Sequence, residues 1–232
     1  MIDCHRLDLA VTGADDLALL DGAERARAAR FHFERHRVRY IAAHAQLRRL
    51  LGARLDIDPA RLRLTTTANG KPVLGRGAEA TACAGTPERG LCFNLSHSEA
   101  VGYLAIAPYD VGIDVELLRP LADLQPLVDT YCSPEEIAAL GAMPADARAR
   151  GFLRVWTRKE AALKAWGTGI GAVPLSAVHV GIDAGSVPAA ASVGSLPCPA
   201  LQLSTLVFAD EVVSVAAPVA APLQIRLLRG PP

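Results

Sequence analysis

Apolar positions along the chain fall into two kinds of spacing, and their order repeats. From about residue 15 to 52 the spacing is helical, with Ile41, Ala45, Leu47, Leu50 and Leu51 forming an approximate stripe. Gly52 supplies a plausible stop, because glycine is favoured just past a helix end. Two apolar runs follow, at 91–95 and 101–107, with Ser-His-Ser-Glu between them and Pro108 after them. That arrangement predicts a hairpin. A short strand is predicted at 111–116. Phe152, Val155, Trp156, Leu163 and Trp166 then recur at helical spacing, predicting a second long helix over 152–166 that ends at Gly167, Gly169 and Gly171. A last strand pair is predicted at 201–208 and 212–217, closed by Pro218 and followed by a short proline-rich tail. Residues 75–92 show no period and several breakers, and read as a loop.

The order helix, apolar hairpin, proline thus occurs twice, at roughly 24–108 and 150–218. It predicts an α+β fold of two pseudo-symmetric lobes, each an antiparallel sheet packed on a long helix. The division is expected between 1–111 and 112–232, with a ligand site at the interface, where such sites favour forming.

Composition narrows the function. Hydrophobic residues make up 51% of the 232 and charged residues 21%, the balance of a globular protein. Lys+Arg and Asp+Glu are both 24, so no bulk attraction draws the chain to nucleic acid or to an anionic membrane. Five scattered cysteines without a C-x-x-C argue against a disulfide framework or a zinc site. The N-terminus has no basic segment followed by an apolar run, and no apolar stretch approaches the ~20 residues that span a bilayer. A cytoplasmic protein with reduced thiols is expected. Charge is nonetheless uneven: nine arginines between 25 and 54 face a single acid, Glu34. That segment is either a solvated helix face or a surface for phosphates or an acidic partner. Only three lysines occur, Lys71, Lys159 and Lys164, and each falls in a motif described next.

Asp114 and Glu116 stand two apart on a predicted strand, so they share a face while Ile113 and Val115 point to a core. Such a pair is either ordinary alternation on a half-exposed strand or a set of hard oxygen donors suited to Mg²⁺. Glu160 and Lys164, at i and i+4, share a helix face expected to lie opposite the Trp156/Leu163 stripe. They are either an exposed ion pair or a carboxylate and an ammonium serving phosphate chemistry. Asn94-Leu-Ser96-His97-Ser98 places hydroxyls and an imidazole at the hairpin turn, either as a polar turn or as phosphate donors. Asn69-Gly70-Lys71-Pro72 is a turn that puts Lys71 at the exposed start of an extended segment.

Taken in order, these motifs resemble the 4′-phosphopantetheinyl transferases of the single-chain, surfactin-synthetase-activating type. That family's pattern runs N-G-K-P, F-N-x-S-H-S, G-I-D-x-E and F-x-x-x-W-x-x-K-E-A-x-x-K-x-x-G-x-G. Here it is met at residues 69–72, 93–98, 112–116 and 152–169, within a resemblance covering roughly 20–218. The resemblance implies transfer of the 4′-phosphopantetheine arm of coenzyme A to a serine of an apo acyl, peptidyl or aryl carrier protein, with release of 3′,5′-ADP. It implies Mg²⁺ held by Asp114, Glu116 and Glu160, and His97 on the pyrophosphate. Ser96 and Lys71 would hold the adenosine end and its 3′-phosphate, and Arg27 and Arg39 the nucleotide. Glu160 would be the base, directly or through water, with Lys164 stabilising the pyrophosphate or the leaving group. Glu24 departs from the pattern, standing where some relatives carry a basic residue. Two lobes in one chain imply a monomer rather than the trimer of the family's short branch.

Overall fold

A strand that apolar spacing did not announce, β1 (Ile2–Asp8), opens the fold. The computed structural model describes residues 1–75, 90–121, 123–168, 173–182, 187–189 and 200–229. Most of the loop expected at 75–92 therefore lies outside the described residues. After β1 come three helices rather than one: α1 (Asp16–Leu19), α2 (Gly22–Ala29) and α3 (Glu34–Leu55). Asp21 makes the break, since it and Glu24 form a reciprocal capping box at the start of α2. Gly52 does not end α3. It lies within the helix, where a Cβ would sit 2.6 Å from the Ile57 carbonyl oxygen, and the chain leaves through Asp56 in the left-handed region. Then follow β2 (Leu64–Thr66), β3 (Pro72–Leu74), β4 (Cys92–Ser98), β5 (Val101–Ala107) and β6 (Gly112–Leu117). Helices α4 (Leu124–Tyr131), α5 (Pro134–Ala142) and α6 (Ala145–Trp166) precede β7 (Val187–Ala189), β8 (Leu201–Val207), β9 (Glu211–Ala217) and β10 (Ile225–Arg229).

The two four-stranded sheets run β10-β1-β5-β4 and β6-β9-β8-β7. Strict alternation decides their faces. In β5, Tyr103, Ala105 and Ala107 point to the second sheet and meet Ile113, Val115, Val213 and Val215. Leu104 and Ile106 point the other way, onto Leu47 and Leu51 of α3. In β9, Val212 and Ala216 turn instead to α6, with Phe152, Val155 and Leu163. The layers are therefore helix, sheet, sheet, helix, and the two outer helices, α3 and α6, have 22 residues each. The α+β reading holds, with one correction. The first sheet is mixed, because β10, in the short proline-rich tail, pairs in parallel with β1. Arg226 on β10 clamps Asp3 of β1 at 2.8 and 2.9 Å. Among the described residues no helix is long and apolar enough to cross a membrane. Cys4 and Cys132 are free and buried, whereas Cys92 is disulfide-bonded, against the expectation of reduced thiols throughout.

Gly112 sets the distance between β6 and α6. A Cβ there would lie 2.0 Å from the Ala161 carbonyl oxygen and 2.5 Å from the Ala165 nitrogen, both backbone atoms that cannot turn aside. Gly112→Ala should therefore push β6 off the helix and cost about 3 kcal/mol, the upper part of the range for overpacking. An unchanged urea midpoint would show that this approach is not fixed by the missing side chain.

Candidate active site

Strands β4 and β6 lie side by side at the junction of the two sheets, and side chains rather than a backbone ladder join them. Asn94 Oδ1 accepts from the Ile113 amide at 2.8 Å. Ser96 Oγ donates to Asp114 Oδ1 at 2.8 Å, and Ser98 Oγ to Glu116 Oε2 at 2.8 Å. Every second residue of one strand is thus matched to the second strand, which is the physical content of the N-x-S-x-S and D-x-E spacings. These polar residues lie within β4. The turn itself is Glu99-Ala100, with Glu99 at φ 52°.

Asp114 faces α6, as does its antiparallel partner Ser214, whose hydroxyl lies 2.8 Å from that of Thr157 on the helix. From α6, Lys164 Nζ donates to Asp114 Oδ1 at 2.6 Å and to Ser96 Oγ at 3.0 Å. The other oxygen, Asp114 Oδ2, is buried without a hydrogen-bond partner among the described residues. Burial pushes the Glu160 carboxyl above its ordinary range, and repulsion from Asp114 and then Glu116 adds to this, against the pull of Lys164. Glu116 is likewise raised, first by burial and then by Asp114, although Ser98 opposes the rise. Three carboxylates thus sense one another in one place, and the ion pair is Lys164–Asp114 rather than the exposed Glu160–Lys164 pair that spacing alone allowed. Among the described residues no set of three or more His, Cys, Asp or Glu side chains is gathered closely enough to ligate an ion.

These groups form the floor of a cleft of about 890 Å³ lined by residues between 21 and 97 and between 114 and 175. Ser96, His97, Asp114, Glu116, Glu160 and Lys164 line it, and so does Arg27 of α2. Trp156 lines it too, with Tyr131 set edge-on against it at 5.0 Å and Leu175 nearby. Trp156, Glu160 and Lys164 follow one another at intervals of four, so they share a face, and the expected opposition between Trp156 and the charged pair does not hold.

Two expected residues lie elsewhere. Arg39 is held by Glu99 at 2.7 Å, because it precedes Tyr40 by one residue and so points about a quarter-turn away from the cleft. Lys71 turns from the cleft to the end of α6, donating to the carbonyls of Lys164 at 2.7 Å and Val111 at 3.2 Å. The last carbonyls of a helix lack intrahelical partners and carry partial negative charge, which attracts an ammonium. Burial pulls its pKa down, and it lines a second pocket of about 330 Å³ with Asp110 and Trp166. Lys159 is a buried strut rather than a site residue, paired with Glu136 at 2.6 Å.

The far wall of the cleft was not anticipated. Tyr40 and His44 of α3, at i and i+4, line it with Asp21 and Glu24. Arg48, fully buried, binds Glu24 and Asp21 and donates to the carbonyls of Pro59 and Leu62. The departure at Glu24 thus has a structural cause, since this carboxylate anchors α2 to α3. Burial pushes the Glu24 carboxyl up, but hydrogen bonds from His44, the Asp21 amide and Arg48 outweigh it and hold the value at about 2. A folded value below the ordinary 4.5 means stabilisation that is complete above pH 4.5 and lost as pH falls toward 2. The difference corresponds to roughly 3 kcal/mol. Glu24→Gln should flatten the acid limb of stability between those pH values, and an unaltered limb in denaturant melts would remove Glu24 from that account.

Comparison with known proteins agrees with this geometry. Residues 110–216 match the family model of the 4′-phosphopantetheinyl transferase superfamily, and residues 14–108 match that of the 4′-phosphopantetheinyl transferase N-terminal region. The 4′-phosphopantetheinyl transferase HetI of Nostoc sp. is 40% identical over 158 residues, 67% of this chain and 63% of that protein. The 4′-phosphopantetheinyl transferase psf-1 of Bacillus pumilus is 32% identical over 149 residues, 63% of this chain and 58% of that protein. A phosphopantetheinyl transferase of Thraustochytrium sp. is 30% identical over 164 residues, 66% of this chain and 54% of that protein. Each alignment spans less than two thirds of the relative's own length.

Proposed function

The chain belongs to the 4′-phosphopantetheinyl transferase superfamily, and from that premise we propose that it moves the 4′-phosphopantetheine arm of coenzyme A to a serine hydroxyl of an apo acyl, peptidyl or aryl carrier protein, releasing 3′,5′-ADP. The observation that carries this reading is the convergence of Asp114, Glu116 and Glu160 with Lys164, Ser96 and His97 in one cleft. Acid groups alone would repel a pyrophosphate. Here an ammonium, a hydroxyl and an imidazole stand among them.

Asp114, Glu116 and Glu160 offer the oxygen chemistry that Mg²⁺ takes, but would have to draw closer together to ligate it. Asp114 Oδ2 is buried with no partner among the described residues, and burial and mutual repulsion raise the Glu116 and Glu160 carboxyls. Asp114, Glu116 and Glu160 would hold the ion, which when bound supplies positive charge to the pyrophosphate oxygens. In the reaction, the serine oxygen bonds to the β-phosphorus as the bond from that phosphorus to the bridging oxygen of the nucleotide breaks. Glu160 takes the serine proton directly or through water. Lys164 neutralises charge on the departing 3′,5′-ADP, and His97 hydrogen-bonds the pyrophosphate. The reading takes the protein as a cytoplasmic monomer, supported by a cleft whose two walls come from one chain.

The test is intact-protein mass spectrometry of an apo carrier protein after incubation with this protein, coenzyme A and Mg²⁺. A gain of one phosphopantetheine that a chelator abolishes is expected. No gain on acyl, peptidyl or aryl carriers, by folded protein that binds coenzyme A, would reduce the reading to a coenzyme A-binding protein.

A further inference from the structure

The resemblance assigns Lys71 to a phosphate, but its setting serves a helix. Gly70 and Pro72 line the cleft, whereas Lys71 between them points to the second pocket, beside Asp110, Trp166 and Gly167. The turn that carries it is closed on itself. The Thr67 amide donates to the Lys71 carbonyl at 2.9 Å, the Gly70 amide to the Thr67 carbonyl at 2.9 Å, and the Lys71 amide to Thr67 Oγ1 at 3.1 Å. Gly70 stands at φ 78°, in the left-handed region that favours glycine. A turn braced in this way presents its side chains as a fixed unit.

That unit grips the end of α6. The amides of Gly167 and Thr168 both go to the Leu163 carbonyl, so the carbonyls that follow it rely on groups from outside the helix. Lys71 Nζ donates to the carbonyl of Lys164 at 2.7 Å, and Asn69 Nδ2 to that of Gly167 at 2.7 Å. An ammonium there also meets the negative end of the helix dipole. The same Nζ donates to the Val111 carbonyl at 3.2 Å, immediately before Gly112, where β6 touches α6. Lys164 is therefore held at both ends. Lys71 fixes its carbonyl, while its ammonium reaches Asp114 at 2.6 Å, Ser96 at 3.0 Å and the Ile113 carbonyl at 3.3 Å. To reach a nucleotide phosphate, Lys71 would have to release two carbonyls of the elements that carry Lys164 and Asp114.

We propose that the Asn69-Gly70-Lys71-Pro72 turn is a clasp on the end of α6, and that Lys71 is a positioning residue, setting where Lys164 meets Asp114 and the pyrophosphate instead of binding the 3′-phosphate of coenzyme A. The inference rests on the coenzyme A reading above. The test is steady-state transfer by the full chain at constant Mg²⁺, with coenzyme A and with dephospho-coenzyme A, which lacks only the 3′-phosphate. Lys71→Met should lower kcat roughly 10–100-fold with both donors, the loss that a displacement of up to about 1 Å brings, and leave the ratio of their kcat/KM values unchanged. Asn69→Ala, at an exposed position with no charge to lose, should show the same signature with a smaller fall. On the residual activity of Lys164→Ala, Lys71→Met should cost little more, because the group it positions is gone, whereas a merely structural lysine would cost the same in both backgrounds. If Lys71→Met fails to fold, Asn69→Ala, alone and paired with Lys164→Ala, decides. An undiminished kcat in both variants, a collapse of the preference for coenzyme A over dephospho-coenzyme A, or an equal loss in the Lys164→Ala background overturns the proposal. A folded wild-type protein inert with both donors would instead overturn the coenzyme A reading.

Discussion

Glu160→Ala should leave a folded protein that transfers no measurable phosphopantetheine. Glu160 is buried on α6, yet it has no hydrogen-bond partner among the described residues, and its two neighbouring carboxylates repel it. Removing it therefore breaks no bond and relieves repulsion, so the melting temperature should hold or rise. Turnover should collapse, because a base is worth about 10²–10⁴-fold and the cation site loses a donor at the same time. Circular dichroism melts paired with carrier-protein mass spectrometry separate the two effects. Near-normal transfer by a well-folded variant would remove Glu160 from the chemistry.

Lys159→Met, one residue away, should do the reverse and damage the fold first. Lys159 Nζ lies 2.6 Å from Glu136 and donates to the carbonyls of Tyr131 at 2.7 Å and Leu175 at 2.8 Å, in a site where the two side chains are only 1% and 4% exposed. Glu136 also accepts from the Ser133 and Val180 amides. Deleting the lysine strands a buried carboxylate and two carbonyls, which costs about 3–5 kcal/mol when one member of a buried pair is lost. For a chain of this size that is a fall in melting temperature of roughly 10 °C. Tyr131 and Leu175 also line the cleft against Trp156, so the Michaelis constant for coenzyme A should rise as the wall loosens. Adding Glu136→Gln should recover part of the stability, since the buried charge is gone. A melting temperature within about 2 °C of the parent would refute the strut.

These neighbours show how far local pattern reaches. Helical spacing placed Lys159 and Glu160 in one motif but could not say that one is a strut and the other faces the cleft, because both are buried. Their roles depend on what arrives from elsewhere: Glu136 from α5 for the first, Asp114 from β6 for the second. The far wall escaped notice for the same reason. Tyr40 and His44 are ordinary residues on an arginine-rich helix until α2 folds back and supplies Glu24.

What the sequence determined by itself was whatever depends on neighbours along the chain. Period two put Asp114 and Glu116 on one face, period four put Glu160 beside Lys164, the hairpin of β4 and β5 followed from its apolar runs, and the ordered motifs marked the family. The tertiary structure alone decided the pairings between distant segments: Ser96 with Asp114, Lys164 with Asp114 instead of Glu160, Lys71 with the end of α6, and β10 with β1 across the whole length of the chain. A period fixes which way a side chain points relative to its own backbone. Which group it meets there depends on how sheets and helices dock, and that is set by burial of the joint core rather than by any local repeat.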